Sequence, residues 1–162
     1  MNFLGPGDLL IEAPWQRQFD LETVLVRILV VDDFLPFRSF TVSALRKRPG
    51  FRIVEEAFDG EEAVQKAKEL RPDLVVLDIG LPVLNGIEAA RRIRSVSPDS
   101  KIIFLTCNNC LDIAREAFNA GASAYVVKHD AANELIAAVE AVLQKRRYVS
   151  NQLAGHGLIE EP

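Results

Sequence analysis

PDLVVLDIGLPVLNG, residues 72–86, decides how this chain folds: four aliphatic residues run straight into Asp78, and Pro82 and Gly86 punctuate the loop beyond. A strand that is apolar on both faces belongs to a parallel sheet buried between helices, because a sheet with one wet face alternates instead. Pro72-Asp73 closes the segment before it. Leu74 to Leu77 therefore reads as a buried strand that delivers a carboxylate at its C-terminal end.

Outward from that stretch the same rhythm repeats. On the N-terminal side, Ile28-Leu29-Val30-Val31 ends at Asp32-Asp33, and a helical pattern from Phe37 to Arg48 stops at Pro49-Gly50. Phe51 to Ala57 is strand-like, Asp59-Gly60 turns the chain, and Ala63, Val64, Ala67 and Leu70 form one stripe of a helix over 61–70. On the C-terminal side come a helix over 87–94 and a strand over 102–105 ending at Thr106. A helix over 113–120 then stops at Gly121, a strand over 124–127 ends at Lys128, and a last helix covers about 132–145.

Five such pairs with right-handed crossovers predict an α/β, flavodoxin-like, doubly wound parallel sheet of five strands in order 2-1-3-4-5, with five helices in three layers. The expected division is an N-terminal arm over 1–26, a domain over 27–147 and a C-terminal tail over 148–162. Gly5-Pro6-Gly7 and Pro14 break any long element in the arm, which reads as loose with order near 21–26.

Composition narrows the function classes. The 162 residues are 49% hydrophobic and 26% charged, an ordinary globular balance. A net charge of −4 argues against broad binding to nucleic acid. The basic run Lys145-Arg146-Arg147 reads as a cationic helix C-terminus. The first residues lack a basic leader region, and no apolar run approaches the ~18 residues of a membrane span. Two cysteines cannot make a disulfide framework, so a reducing cytoplasm is the expected location.

The polar residues fall where an open α/β sheet binds its ligands. Asp32-Asp33, Asp78, Thr106 and Lys128 end strands one, three, four and five, and that sheet edge is the ligand crevice. Taken singly, such an Asp or Thr reads as a helix cap and such a Lys as a surface charge. Jointly they make a site. Carboxylates ~4 Å apart repel by roughly 4 kcal/mol per pair at an effective dielectric of 20. Lys128 offsets part of this, and a Mg²⁺ ion, which prefers oxygen ligands, would offset more. A carboxylate nucleophile beside such a metal can take a phosphoryl group as an aspartyl-phosphate.

At these residues the chain resembles the response-regulator receiver family of two-component systems, over about residues 27–147. ILVVDD (28–33), PDLVVLDIGLPVLNG (72–86), IIFLT (102–106) and GASAYVVK (121–128) carry the resemblance, four blocks in order. It implies that Asp78 is the phosphoacceptor. It also implies that Asp32, Asp33, Asp78 and the Gly80 backbone carbonyl hold Mg²⁺, with Asp32 acting directly or through water. Thr106 and Lys128 would hold phosphoryl oxygens, and Tyr125 would turn inward as Thr106 moves, reshaping the face of the fourth helix, fifth strand and fifth helix. The implied phosphodonor is a sensor histidine kinase or a phosphotransfer protein. Homodimers through that face or through the first and fifth helices are expected, with no direct DNA binding by this chain and no membrane. Such a domain is a self-phosphorylating acceptor rather than a turnover enzyme.

The stretch from Gly121 onward, with RRYVSNQL (146–153), is most similar to receivers of the NarL/LuxR type, which usually continue into a helix-turn-helix output domain. About fifteen residues follow Arg147, too few for one. A stand-alone receiver and one separated from its output domain both remain open. His129 stands where many receivers have proline, Phe34 where a smaller polar residue is frequent, and Asn108 and Gly80 where water access to the phosphoryl group is tuned. Other readings compete. Cys107-Asn108-Asn109-Cys110 has redox-dithiol spacing, although Cys107 as a small buried side chain reads better. Zinc on Cys107, Cys110, His129 and His156 needs ligands scattered along the chain. A pseudo-receiver, the same fold used as a phosphorylation-independent interaction module, would normally lack one of the acidic, Thr or Lys positions.

Overall fold

The computed structural model describes residues 25–159, and the arm expected over 1–26 falls, but for Leu25 and Val26, outside them. Val26–Val31 forms β1, Leu35–Arg46 α1, Phe51–Ala57 β2, Gly60–Leu70 α2, Leu74–Leu77 β3 and Gly86–Val96 α3. Lys101–Thr106 forms β4, Leu111–Asn119 α4, Ala124–Val127 β5, Ala131–Leu143 α5 and Tyr148–Val149 β6. All strand pairs are parallel and the sheet runs β2-β1-β3-β4-β5-β6. The expected order 2-1-3-4-5 is present, and a sixth strand extends it. Tyr148 and Val149, placed by the sequence in a tail, pair with Ala124 and Tyr125.

Burial follows strand parity. Leu29, Val31, Val75, Leu77, Ile102, Phe104, Tyr125 and Val127 pack on one face of the sheet against α2, α3 and α4. Ile28, Val30, Leu74, Val76, Ile103, Leu105, Ala124 and Val126 pack on the other, against α1 and α5. Both faces being covered is why the central strands read as unbroken aliphatic runs. No helix among the described residues is long and apolar enough to cross a membrane.

Local chemistry fixes the element ends. Asp59 caps α2, its side chain accepting from the Glu62 amide at 2.7 Å, and Asn85 caps α3 by accepting from the Glu88 amide at 3.0 Å. Pro36 sits in the first turn of α1, where its missing N–H costs nothing. This carries α1 two residues further toward the N-terminus than the apolar pattern suggests. Gly121 follows α4 with φ +104°, as its position after Ala120 predicted.

Candidate functional site

Each of β1, β3, β4 and β5 releases a polar residue at the same sheet edge: Asp32-Asp33, Asp78, Thr106 and Lys128. Carboxylate oxygens of Asp32, Asp33 and Asp78 all lie within 4.8 Å of one another. Asp32 and Asp78 are buried and Asp33 is exposed, so the cluster opens to solvent on the Asp33 side.

Lys128 reaches into this cluster from β5. Its ammonium lies 2.7 Å from Asp32 Oδ2 and 2.9 Å from Asp78 Oδ2, with all three side chains at most one-tenth exposed. The ammonium also sits 4.6 Å from the centroid of the Phe37 ring on α1. Burial alone would lower the Lys128 pKa, but the hydrogen bonds that the ammonium donates to Asp32 and Asp78 outweigh it and hold the amine above its ordinary value. Asp32 is raised too, because burial outweighs its contacts with Lys128 and the Phe34 amide, and the neighbouring Asp78 carboxylate adds a little. The raised amine keeps Lys128 charged beside these carboxylates.

Backbone contacts orient these groups. Asp32 Oδ1 accepts from the Phe34 amide at 2.9 Å, and Asp78 Oδ1 accepts from the Ile79 amide at 2.7 Å. Arg38 donates to the Asp32 carbonyl at 2.8 Å and pairs with Glu56 at 3.1 Å, tying the end of β1 to α1 and β2. The loop after β3 closes tightly over the site. A Cβ at Gly86 would lie 1.9 Å from the Asp78 carbonyl oxygen, so only glycine permits this approach. Gly80 lies in this loop and is exposed.

Thr106 is buried at the end of β4, and its hydroxyl oxygen accepts from the Asn108 amide at 3.3 Å. That leaves the hydroxyl proton available to a ligand. Tyr125 is fully buried, and its hydroxyl donates to the Asn108 carbonyl at 2.7 Å. It occupies an inward position, and β6 pairs along the outer edge of its strand.

Two expectations are corrected. Cys107 is exposed, as is Cys110, because the chain leaves the sheet at Thr106 and both thiols lie in the loop before α4. The fifth strand does not end the sheet. Sequence reasoning missed Arg38 and Phe37, whose places in a helical pattern look like an ordinary surface charge and a core aromatic. Their spacing from Asp32 by one to two helical turns was the available signal.

The family model for the response regulator receiver domain matches residues 28–140. Response regulator GacA of Pseudomonas viridiflava is 34% identical over 130 residues, 80% of this chain and 61% of that protein. The transcriptional regulatory protein DegU of Brevibacillus brevis is 33% identical over 136 residues, 84% of this chain and 57% of its own length. The chain thus spans about three-fifths of the curated relatives it matches. Among solved structures, a LuxR-family two-component response regulator from Aurantimonas superposes with TM-score 0.77 at 40% identity, covering 80% of this chain and 93% of that one. The receiver domain of the response regulator NarL from Mycobacterium tuberculosis gives 0.71 at 29% identity, covering 75% and 98%.

Proposed function

Because the chain belongs to the response regulator receiver domain family, we propose that it takes a phosphoryl group on Asp78 from a sensor histidine kinase or a phosphotransfer protein. The observation that carries this reading is the bridge from Lys128 to both Asp32 and Asp78 beside a third carboxylate, Asp33. A merely structural ion pair needs one partner for its cation. Here one buried ammonium faces two carboxylates with a third beside them, an arrangement suited to receiving a dianion and a metal together.

The donor set fits Mg²⁺: three clustered carboxylates, one of them solvent-exposed. Asp33 and Asp78 would hold it, with Asp32 acting directly or through water and the Gly80 carbonyl as a further ligand. Bound there, the ion supplies positive charge that lets an anionic phosphodonor approach a carboxylate. The chain's own residues do the rest. A carboxylate oxygen of Asp78 attacks phosphorus; the new O–P bond forms as the P–N bond of the donor phosphohistidine breaks, and the departing imidazole nitrogen keeps the electron pair. Lys128 moves its hydrogen bond from the Asp78 carboxylate to a phosphoryl oxygen, and the Thr106 hydroxyl donates to another. Tyr125 then reports the position of Thr106 to the face of α4, β5 and α5. Asp78 is consumed and regenerated as an acceptor, not as a turnover catalyst.

An apolar rim supports a protein donor. Phe34, Leu35, Phe58 and Val83 are all more than half exposed on the loops and helix start that follow β1, β2 and β3, around the crevice. Homodimerisation is assigned to α1 and α5, where Phe40 and Leu143 are partly exposed, since β6 already occupies the edge of β5. The pseudo-receiver reading would leave the complete set of acidic, Thr and Lys positions without a use.

The test is incubation with Mg²⁺ and a small phosphodonor, followed by mass measurement. A hydroxylamine-labile gain of one phosphoryl group is expected in the wild type and not in Asp78→Asn. Equal labelling of the two proteins would remove Asp78 from the role.

A further inference from the structure

The segment beyond α5 is bound to the domain through a buried polar latch. Ser150 has no exposed surface. Its hydroxyl oxygen accepts from the Val127 amide at 2.8 Å and its proton goes to Glu134 Oε2 at 2.6 Å. The other Glu134 oxygen accepts from the Asn151 amide at 3.0 Å. Glu134 is itself buried, at 5% exposure, an expensive place for a carboxylate unless its hydrogen bonds are needed there. The backbone reinforces the latch: the Ser150 amide donates to the Tyr125 carbonyl at 2.9 Å, and the Tyr148 amide to the Ser123 carbonyl at 3.2 Å.

Two features of this segment exceed what a tail needs. Val149 pairs in register with Tyr125, and Val149, Leu153 and Leu158 share a single apolar cluster with the Tyr125 ring, Ala114, Ala117 and Phe118. The latch hydroxyl also binds the amide of Val127, the residue immediately before Lys128. The segment thus spans both the aromatic and the lysine that the phosphoacceptor reading uses. It covers the outer edge of β5, the strand that carries Tyr125.

We propose that Tyr148–Leu158 is a strap, latched by Ser150 and Glu134, whose docking and the inward position of Tyr125 are a single state. Ser150 and Glu134 are then positioning residues acting through Tyr125 and Lys128, and the signal leaves the domain along the chain itself. Coupling between two sites is reciprocal. A docked strap favours inward Tyr125 and with it phosphorylation, and phosphorylation tightens the strap. That last step rests on the Asp78 reading; the link between strap and Tyr125 does not.

The experiment has two arms, both on the full chain. In the unphosphorylated protein, amide hydrogen exchange over 148–151 and the Tyr125 ring signals are followed by NMR in Ser150→Ala, Ser150→Thr and Leu153→Ala. Ser150→Ala breaks the polar latch and Leu153→Ala the apolar anchor. Both should speed exchange in the strap and move the Tyr125 ring toward solvent, and Ser150→Thr, which keeps the hydroxyl, should restore both. A strap that exchanges freely while the Tyr125 ring keeps its wild-type signals would overturn the proposal. In the second arm, steady-state labelling with Mg²⁺ and a small phosphodonor should fall about 5-fold or more in Ser150→Ala; labelling equal to wild type would overturn the coupling. If wild type itself takes no phosphoryl group, the Asp78 reading fails while the first arm still decides the strap.

Discussion

The Tyr125 hydroxyl donates a 2.7 Å hydrogen bond to the backbone carbonyl of Asn108, so a residue of β5 holds the loop that leaves β4 at Thr106. The phenol is buried, and burial, with the Cys110 thiol and the Asp78 carboxylate adding to it, pushes its pKa well above the ordinary tyrosine range. A raised folded-state pKa means stability that is whole below the unfolded value of ~10 and lost as pH rises beyond it. Denaturant midpoints of the wild type should therefore fall steeply above pH ~10. Tyr125→Phe should cost about 1 kcal/mol at neutral pH, from the lost hydrogen bond, and give a flatter alkaline slope. It should not be flat, because the Tyr148 phenol is also raised, mainly by burial and then by Glu134 and Asp130. Parallel slopes for the two proteins would show that the Tyr125 phenol is not held neutral by the fold.

Lys128 bridges Asp32 and Asp78 with little solvent exposure at any of the three side chains. Lys128→Met keeps much of the side-chain volume and removes the charge, leaving two carboxylates facing each other. Breaking a buried pair by deleting one partner costs 3–5 kcal/mol, and the open side of the crevice places this loss at roughly 3 kcal/mol. The deficit should shrink on acidification, as the carboxylates take up protons. Urea unfolding at neutral and acid pH measures both. A deficit that does not change with pH would locate the damage in packing against Phe37 instead.

The loop over Asp78 distinguishes its two glycines. A Cβ at Gly86 would meet the Asp78 carbonyl oxygen at 1.9 Å and Ile79 Cα at 2.7 Å, both backbone atoms that cannot yield cheaply. A Cβ at Gly80 would meet nothing within 4 Å. Gly86→Ala should lose ~1–3 kcal/mol, as overpacked sites do. Gly80→Ala should stay within about 0.5 kcal/mol, as surface changes do. Comparing the two unfolding midpoints checks the loop geometry without reference to phosphorylation.

The third loop residue of interest is Val83, a β-branched side chain at φ 69° that is 80% exposed. That conformation costs an L-residue about 1–2 kcal/mol, more than glycine's extra unfolded-state entropy of roughly 0.5–1 kcal/mol. Val83→Gly should therefore raise stability, by about 1 kcal/mol at most. Thermal unfolding reads the sign directly, and a loss would mean that the Val83 side chain makes a contact worth more than the strain.

How far the sequence revealed this structure depended on whether a residue's role had a period or a neighbour in the chain. Leu74 to Leu77 was legible because four aliphatic residues ending at Asp78 fit a doubly buried strand and little else. Asp32, Asp33, Asp78, Thr106 and Lys128 were legible because strand ends in this topology share an edge. Tyr148 and Val149 were not: two residues carry no alternation, and their pairing with β5 depends on partners more than twenty residues away. Glu134 was not legible either, since nothing local shows that Ser150 returns to bind it. Cys107 failed for the opposite reason. Adjacency to a buried strand suggested burial, but the strand ends one residue earlier.

Three carboxylates lie within 4.8 Å of one another, and the ammonium that enters the cluster touches Asp32 and Asp78 but is not paired with Asp33. Charge compensation is therefore incomplete, and the exposed member is the one left over. A divalent cation should bind on the Asp33 side and stabilise the fold in proportion to the logarithm of its concentration, by about 2.7 kcal/mol at a hundred times Kd. Melting temperature should rise on titration with MgCl₂ and not with the same ionic strength of NaCl, which only screens. Asp33→Asn removes the uncompensated charge, so it should be at least as stable as wild type without the metal and gain far less on its addition. Asp99→Asn, a change at an exposed aspartate after α3, should leave the wild-type response intact. Equal melting shifts in wild type and Asp33→Asn would mean that the ion binds elsewhere or that Asp33 does not hold it.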